Sequence, residues 1–198
     1  MHLISPNGHN YGGMPGCGDL PYSSTGEGMH RYVDPLDGQT YVGAYLRVDN
    51  AQLVLACFDQ PDLKAPFTAA VTAPAGWTVV GNGARQSVTD ARWTFPPTPP
   101  LSTYLFVVVA GPLHSIEVEH RGTPFGLHCR RSLAEHLDRE AAELLAVTTA
   151  CFDRYEELFD EPYPFDSYDS VFVPELNRGA NGVISAVRCG YAPRSRDG

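Results

Sequence analysis

The middle of the chain alternates apolar residues with polar or small ones at the period of two that is typical of half-buried β-strands. Four strands are predicted there, over 67–71, 77–80, 87–95 and 101–109. Gly81-Asn82-Gly83 separates two of them as a hairpin-like break, and the run Pro96-Pro97-Thr98-Pro99-Pro100 predicts a stiff, extended connector. The pattern from Thr40 to Gly122 therefore predicts part of a β-sandwich.

The pattern changes in the last third of the chain, where one more strand is predicted over 125–129. Ser132-Leu133-Ala134-Glu135 then has the spacing of a capping box, which predicts the start of a helix. An apolar stripe at helical spacing follows, formed by Leu137, Ala141, Leu144, Thr148, Cys151, Phe152, Tyr155 and Leu158. We interpret this stripe as a core-packing face that ends at Glu161-Pro162. Two short strands are predicted after it, over 170–173 and 183–187.

These elements predict an α+β fold, with a β-rich partial sandwich followed by a small β-sheet and one long helix. Residues 1–23 are rich in glycine and show little periodicity, which predicts a loose tail. Their glycine spacing matches neither of the common phosphate-binding loops. We therefore divide the chain into the tail at 1–23, a β domain at 24–122 and a second region at 123–198.

Composition and charge limit the possible partners. The formal net charge is −9 and there is no run of Lys or Arg, so nucleic acid and anionic membranes are not expected as partners, whereas basic ligands stay open. No apolar run has the length of a membrane helix, and the N-terminus lacks the order of a signal peptide, so we expect a cytoplasmic protein. Five widely spread cysteines predict neither a disulfide framework nor a zinc ribbon.

The least generic stretch is Leu55-Ala56-Cys57-Phe58-Asp59-Gln60-Pro61-Asp62-Leu63-Lys64-Ala65-Pro66-Phe67. Propensity alone predicts a tight corner between strands, because proline fixes φ and the two aspartates can accept bonds from nearby backbone N–H groups. Beyond that, C-F-D-Q-P-D-L-K-A-P-F resembles the aminopeptidase N family of zinc metallopeptidases in its bacterial form. Three more passages resemble the family in the same order, G-E-G-M-H-R-Y-V-D-P at 26–35, L-S-T-Y-L at 101–105 and V-P-E-L-N at 173–177.

The resemblance implies a zinc ion held by H-E-x-x-H on a helix and by a further Glu. The sequence contains no H-E-x-x-H, so we expect a truncated relative without the zinc-binding helix. No cofactor is expected, and zinc only if a second chain supplies its ligands. His114 and His120 share a predicted strand face, but we expect them to be solvated or packed and not to be metal ligands.

Two further features of the family recognise the amino group of the substrate through carboxylates. Aligned on the corner, the position of the first amine-binding Glu is Arg47, which follows Tyr45 and would repel an ammonium group. The family's G-A-M-E-N motif corresponds to Gly179-Ala180-Asn181, without Met-Glu, and Arg178 adds a positive charge. The resemblance thus implies a substrate pocket of altered chemistry at Tyr45, Arg47, Arg178, Gly179, Ala180 and Asn181, and Glu175 is a candidate general base.

Three interpretations follow. In the leading one, the chain has lost zinc-dependent aminopeptidase activity of its own and is a binding or assembly module or half of a split peptidase, with a complementing chain or a second copy as partner. In the second, it is a metal-independent enzyme that opens epoxides, cyclises or hydrolyses a small anionic or acyl metabolite. In the third, it is a non-functional gene fragment, although its capping, alternation and turn residues agree with one another as in a foldable chain.

Overall fold

The computed structural model describes residues 21–24 and 26–174, together with the backbone of two strands at 180–183 and 186–190. It is β-rich, with three sheets and one long helix, which confirms the predicted fold class. Most of the predicted tail at 1–23 lies outside the described residues. No helix in the described part of the chain is both long and apolar enough to span a membrane.

Two sheets pack face to face in the first part of the chain and form the partial sandwich. The four strands of the first sheet are β1 (Gly28–Val33), β2 (Thr40–Tyr45), β4 (Thr78–Gly81) and β7 (Val108–Gly111), in the antiparallel order β1-β2-β7-β4. The three strands of the second are β3 (Ala70–Thr72), β5 (Ser87–Thr89) and β6 (Arg92–Thr94), in the order β3-β6-β5. Met29 and Val108 of the first sheet share a buried core with Val71 and Trp93 of the second.

The third sheet carries the helix. Its five strands are β8 (Leu113–His120), β9 (Thr123–Arg130), β10 (Tyr168–Val173), β11 (Ala180–Val183) and β12 (Ala186–Gly190), in the order β11-β12-β10-β9-β8. The helix α1 (Ala134–Phe159) connects β9 to β10, which run parallel. The turn at Gly122 joins β8 to β9. Because β8 pairs with β9 from Leu113 onward, the third sheet begins at Leu113.

Three of the stretches predicted as strands do not form one continuous strand in the structure. The stretch 87–95 forms a hairpin, because Asp90 and Ala91 adopt left-handed φ values of 49° and 64° and reverse the chain between β5 and β6. The stretch 101–109 begins with a 3₁₀ turn at Thr103–Leu105, and 183–187 is divided between β11 and β12. The predicted hairpin at Gly81-Asn82-Gly83 is also wrong, because β4 pairs with β7 and not with β5.

The start of the helix differs from the capping-box prediction. Leu133 occupies the N-cap position and the cap makes no side-chain hydrogen bond. The Ser132 hydroxyl instead donates to the carboxylate of Asp34, 98 residues earlier in the chain. The Ser132 side chain therefore bonds to a residue distant in sequence, and not to the helix N-terminus as the local pattern predicted.

The apolar stripe of α1 is buried only in its first half. Leu137 and Ala141 pack against Leu127 and Cys129 of β9, whereas Tyr155 is 59% exposed. The other exposed large apolar residues in the second half of the helix are Val147, Leu158 and Phe159. The prediction that core packing accounts for the whole stripe is therefore wrong, and we call these three residues, together with Tyr155, the exposed face of α1.

Candidate functional site

The corner at Asp59-Gln60-Pro61-Asp62 is held by two other segments of the chain. Oδ2 of Asp59 accepts a hydrogen bond from the backbone N–H of Ala51 at 2.8 Å, and Oδ1 accepts from the Thr103 hydroxyl at 2.9 Å. The Ser102 hydroxyl donates to the carbonyl of Pro61. Two of the sequence motifs, the corner and L-S-T-Y-L, therefore form one hydrogen-bonded unit.

The segment that leaves the corner makes further hydrogen bonds to the chain around Leu101. Ala65 and Leu101 exchange backbone hydrogen bonds of 3.1 and 2.9 Å, and the backbone N–H of Phe67 donates to the Thr98 hydroxyl at 2.9 Å. Thr98 belongs to the proline-rich run, so that run is a connector that lies beside the segment after the corner.

A second polar cluster joins the first sheet to the start of α1. Asp34 is fully buried, accepts a hydrogen bond from the Leu36 N–H at 3.0 Å and lies 3.6 Å from Nε of Arg130. Arg130 also donates to the Tyr32 hydroxyl at 3.1 Å. Burial by itself raises the pKa of Asp34, but the hydrogen bonds from Ser132 and Leu36 and the charge of Arg130 outweigh it and hold that pKa below its ordinary value. Asp34 is therefore a structural anion at the junction of two sheets.

Tyr45 and Arg47, the two predicted pocket residues of the first sheet, lie together at the end of β2. The Arg47 guanidinium lies over the Tyr45 ring, 5.7 Å from its centroid, and is 3.5 Å from Oε1 of Glu27. The side chains of Arg47 and Glu27 are 41% and 42% exposed, so solvent screens this ion pair. Arg47 is thus partly neutralised by Glu27, which weakens the repulsion expected between Arg47 and an ammonium group.

The other predicted pocket residues are at the far end of the chain. Glu175, Arg178 and Gly179 lie outside the described residues. Ala180 and Asn181 begin β11, the edge strand of the third sheet, where they pair with Cys189 and Arg188 of β12. The structure therefore places the backbone of these two residues in the edge strand of the described sheet, and the pocket as a whole stays a prediction.

His114 and His120 face the helix from β8. Nε2 of His114 is 2.6 Å from a carboxylate oxygen of Asp138, and Nε2 of His120 is 2.7 Å from one of Asp153. Both histidines thus fasten the β8–β9 hairpin to α1. Among the described residues, no group of three or more His, Cys, Asp or Glu side chains is arranged to hold a metal ion.

A third polar cluster lies on the opposite face of the same sheet and was missed by sequence analysis. His128 of β9 is only 2% exposed, with Nδ1 2.9 Å from the Ser115 hydroxyl of β8 and Nε2 2.9 Å from Oδ1 of Asp169 of β10. An ionised carboxylate only accepts, so Nε2 carries the proton in this arrangement. The three residues are 13 and 41 positions apart, and only strand pairing brings them together.

Gly126 makes this contact possible. It lies opposite Asp169 in the parallel register of β9 and β10. A Cβ atom at this position would be 2.2 Å from Oδ1 of Asp169 and 2.4 Å from Nε2 of His128. Any side chain at position 126 would therefore displace one of the two partners.

The residue types Ser115, His128 and Asp169 are those of a catalytic triad, but their placement does not favour nucleophilic catalysis. His128 and Asp169 line a cleft of about 240 Å³ between β4 and the third sheet. Ser115 is not among the described residues that line this cleft. A molecule in the cleft would meet the carboxylate of Asp169 and not the serine hydroxyl.

Comparisons with known proteins support the resemblance found in the sequence. The model of the Peptidase M1 N-terminal domain matches residues 18–105. Aminopeptidase N of Streptomyces lividans is 45% identical over 184 residues, which is 90% of this chain and 21% of that protein. Aminopeptidase 2, mitochondrial, of Saccharomyces cerevisiae is 30% identical over 76% of this chain and 16% of its own length. Glutamyl aminopeptidase of Homo sapiens is 28% identical over 66% of this chain and 14% of its own length.

The chain thus spans about a fifth, or less, of the length of these relatives. The matched family model covers the partial sandwich except for β7, and the match to the bacterial protein extends over nine tenths of the chain. The sequence motifs, the β-rich fold and these two matches agree, and we conclude that the chain belongs to the aminopeptidase N family.

Proposed function

We propose that this chain is an assembly module of an aminopeptidase of this family and is without peptidase activity of its own. It supplies the β domain and the first sheet and helix of a catalytic-domain-like region. The zinc-bearing helices come from another polypeptide or from a further part of the same one. The observation that carries this proposal is the exposed face of α1.

Four large apolar side chains are more than half exposed on the second half of one helix, which is the pattern of a helix that packs against another element. Tyr155 and Phe159, two of the four, are stacked with their ring centroids 6.0 Å apart, so they form a continuous apolar surface. The relatives extend well beyond the matched region, so an apolar helical segment of such a protein is the occupant that we assign to this face.

The sequence supports the lack of independent activity, because its 198 residues do not contain the zinc-binding motif H-E-x-x-H. In the alignment implied by the family motifs, Arg47 also occupies the position of the Glu whose carboxylate binds the substrate amine in the family. The same alignment leaves the G-A-M-E-N position without its Glu. A partner would therefore have to supply both the metal ligands and the recognition of the amino group.

The test combines metal analysis, turnover and complementation. The purified chain alone is expected to bind no stoichiometric zinc and to leave an alanyl chromogenic substrate intact. Mixing it with the part of the Streptomyces lividans aminopeptidase N that lies outside the matched region, in the presence of zinc, is expected to give a complex in size-exclusion chromatography and to restore turnover.

Two variants separate docking on α1 from general effects. Leu158→Asp places a charge in the exposed face and is expected to weaken the complex at least tenfold. Val88→Asp places the same charge on an apolar residue of β5 that is 48% exposed and is expected to leave the complex unchanged. Equal weakening by both variants, or zinc-dependent turnover by the chain alone, would show the proposal to be wrong.

A further inference from the structure

The cleft between β4 and the third sheet is a second candidate site, independent of the proposed assembly. It has a volume of about 240 Å³, room for several water molecules at about 30 Å³ each. One wall is apolar and includes Phe95 and Pro124. The opposite end is polar and includes Ser167 and Asp169. None of these four residues belongs to the pocket that the family resemblance implies.

Ser167 is the residue whose hydrogen bonding indicates a ligand in the cleft. It is 3% exposed, and its hydroxyl has no hydrogen-bond partner among the described residues. It lies two positions before Asp169, directly before β10, and both residues line the cleft. A buried hydroxyl without a partner costs free energy, which a ligand in the cleft would recover.

Asp169 has capacity left for a donor. One of its oxygens accepts from His128 at 2.9 Å, and an ionised carboxylate has room for several more hydrogen bonds. The bond from His128 fixes the orientation of the carboxylate, and the two side chains together fill the space that a side chain at Gly126 would take. The group that completes this end of the cleft must therefore donate hydrogen bonds.

The charges around the cleft favour a cation. Arg85 lies at the rim of the cleft. Its guanidinium donates two hydrogen bonds to the carboxylate of Glu117, with N–O distances of 3.1 and 3.0 Å. Asp166 accepts from the Ala84 N–H at 3.1 Å, at the mouth of the cleft. Three carboxylates, those of Glu117, Asp166 and Asp169, thus lie near one arginine. The positive charge of that arginine, Arg85, is already neutralised by its ion pair with Glu117. The local potential is negative and attracts a positive ligand.

We propose that this cleft binds a small organic cation, an ammonium or guanidinium group on a short apolar body. The cationic group donates hydrogen bonds to Asp169 and Ser167, and the body packs against Phe95 and Pro124. A cation bound to a carboxylate and a hydroxyl beside an apolar wall combines charge-assisted hydrogen bonds with apolar burial.

The test measures binding of 2-phenylethylamine to the full chain by calorimetry, with 2-phenylethanol as the neutral analogue of the same shape. The amine is expected to bind at least tenfold more tightly than the alcohol, because only the amine forms the charge-assisted bond. Ser167→Ala is expected to weaken the amine about three- to tenfold, which is the range for one neutral hydrogen bond. Asp169→Asn is expected to remove the preference for the amine.

Glu119→Gln is the matched control, because it removes one negative charge from an exposed residue of β8 outside the cleft. It is expected to leave amine binding within twofold of the unchanged chain. The proposal is overturned if the amine does not bind at millimolar concentration, if the alcohol binds equally well, or if Glu119→Gln weakens binding as much as Ser167→Ala. If Asp169→Asn fails to fold, Ser167→Ala and the neutral analogue decide the question.

Discussion

The hydroxyl of Thr103 donates a hydrogen bond to Oδ1 of Asp59 at 2.9 Å, across 44 residues of sequence. Thr103 is 4% exposed, and the same carboxylate accepts from the backbone N–H of Ala51 at 2.8 Å. One aspartate therefore joins the corner, the 3₁₀ turn at Ala51–Leu53 that precedes it and the L-S-T-Y-L segment. This contact explains why the two segments need these residue types together.

We expect Thr103→Val to lower the free energy of unfolding by about 1.5–3 kcal/mol, because it removes a hydrogen bond to a charged group and leaves the carboxylate less well solvated. Urea denaturation followed by circular dichroism measures the change. Thr72→Val, on an exposed position of β3, is the control and is expected to stay within about 0.5 kcal/mol of the unchanged chain. Equal effects of the two variants would mean that the bond contributes nothing specific.

Gly126→Ala should break the contact between His128 and Asp169, since the added Cβ would overlap both partners. We expect a loss of about 1–3 kcal/mol in the free energy of unfolding, the usual range for overpacking. Because His128 is buried and bonded to Asp169, we expect its imidazole N–H to exchange slowly and to be visible in proton NMR, and this signal should disappear in Gly126→Ala. Gly76→Ala, where no atom lies within 4 Å, adds backbone strain alone and should keep this signal. Retention of the signal in Gly126→Ala would contradict the geometry.

The turn between β5 and β6 offers a stabilising change. Ala91 has φ = 64°, a left-handed conformation that is costly for a residue with a Cβ atom, and it is the second residue of a two-residue hairpin turn. Ala91→Gly is expected to raise the free energy of unfolding by about 0.5–1 kcal/mol. Ala150→Gly, at an exposed position within α1, should lower it by about 1 kcal/mol. Thermal or urea unfolding of the pair tests the opposite signs, and the same sign for both would refute the argument.

Asp34 should make the free energy of unfolding depend on pH in the acidic range. Its folded pKa lies below the ordinary value, so the unfolded chain binds its proton more readily. The stabilisation is present above the unfolded pKa of about 4 and is lost as the pH falls through the folded pKa. We expect Asp34→Asn to be less stable at neutral pH and to lose less stability between pH 5 and pH 3. Asp62→Asn, at an exposed position of the corner, should keep the original slope in urea titrations at each pH.

The reactivity of the cysteines follows from their burial. Burial raises the pKa of the Cys129 thiol to about 12, and the nearby charge of Asp138 adds to this. Because the thiolate is the reactive form, Cys129 should be alkylated by iodoacetamide at pH 8 at least about a hundredfold more slowly than the exposed Cys151. Peptide mass spectrometry over a time course measures both rates in one sample. Comparable rates would mean that β9 opens far more often than its packing implies.

Local pattern predicted the elements whose neighbours in sequence are also their neighbours in space. The strand at 125–129 and the helix after Ser132 follow from alternation and from helical spacing, and both are present as β9 and α1. The same pattern treated 87–95 as one strand, because the turn at Asp90-Ala91 uses residues that do not demand a left-handed conformation. The capping-box prediction was wrong for a different reason, since Asp34 competes for the same hydroxyl.

By itself, the sequence determined the α+β class, the family motifs and the absence of H-E-x-x-H, because each depends on residue type and spacing alone. Tertiary structure decided which side chains meet. The Ser115–His128–Asp169 cluster, the cleft with Ser167 and the exposed half of α1 all depend on the pairing of β8, β9 and β10 and on where the third sheet packs. Strand pairing joins residues at any separation in sequence, and the free energy of burial depends on what lies across the sheet, so no local pattern contains this information.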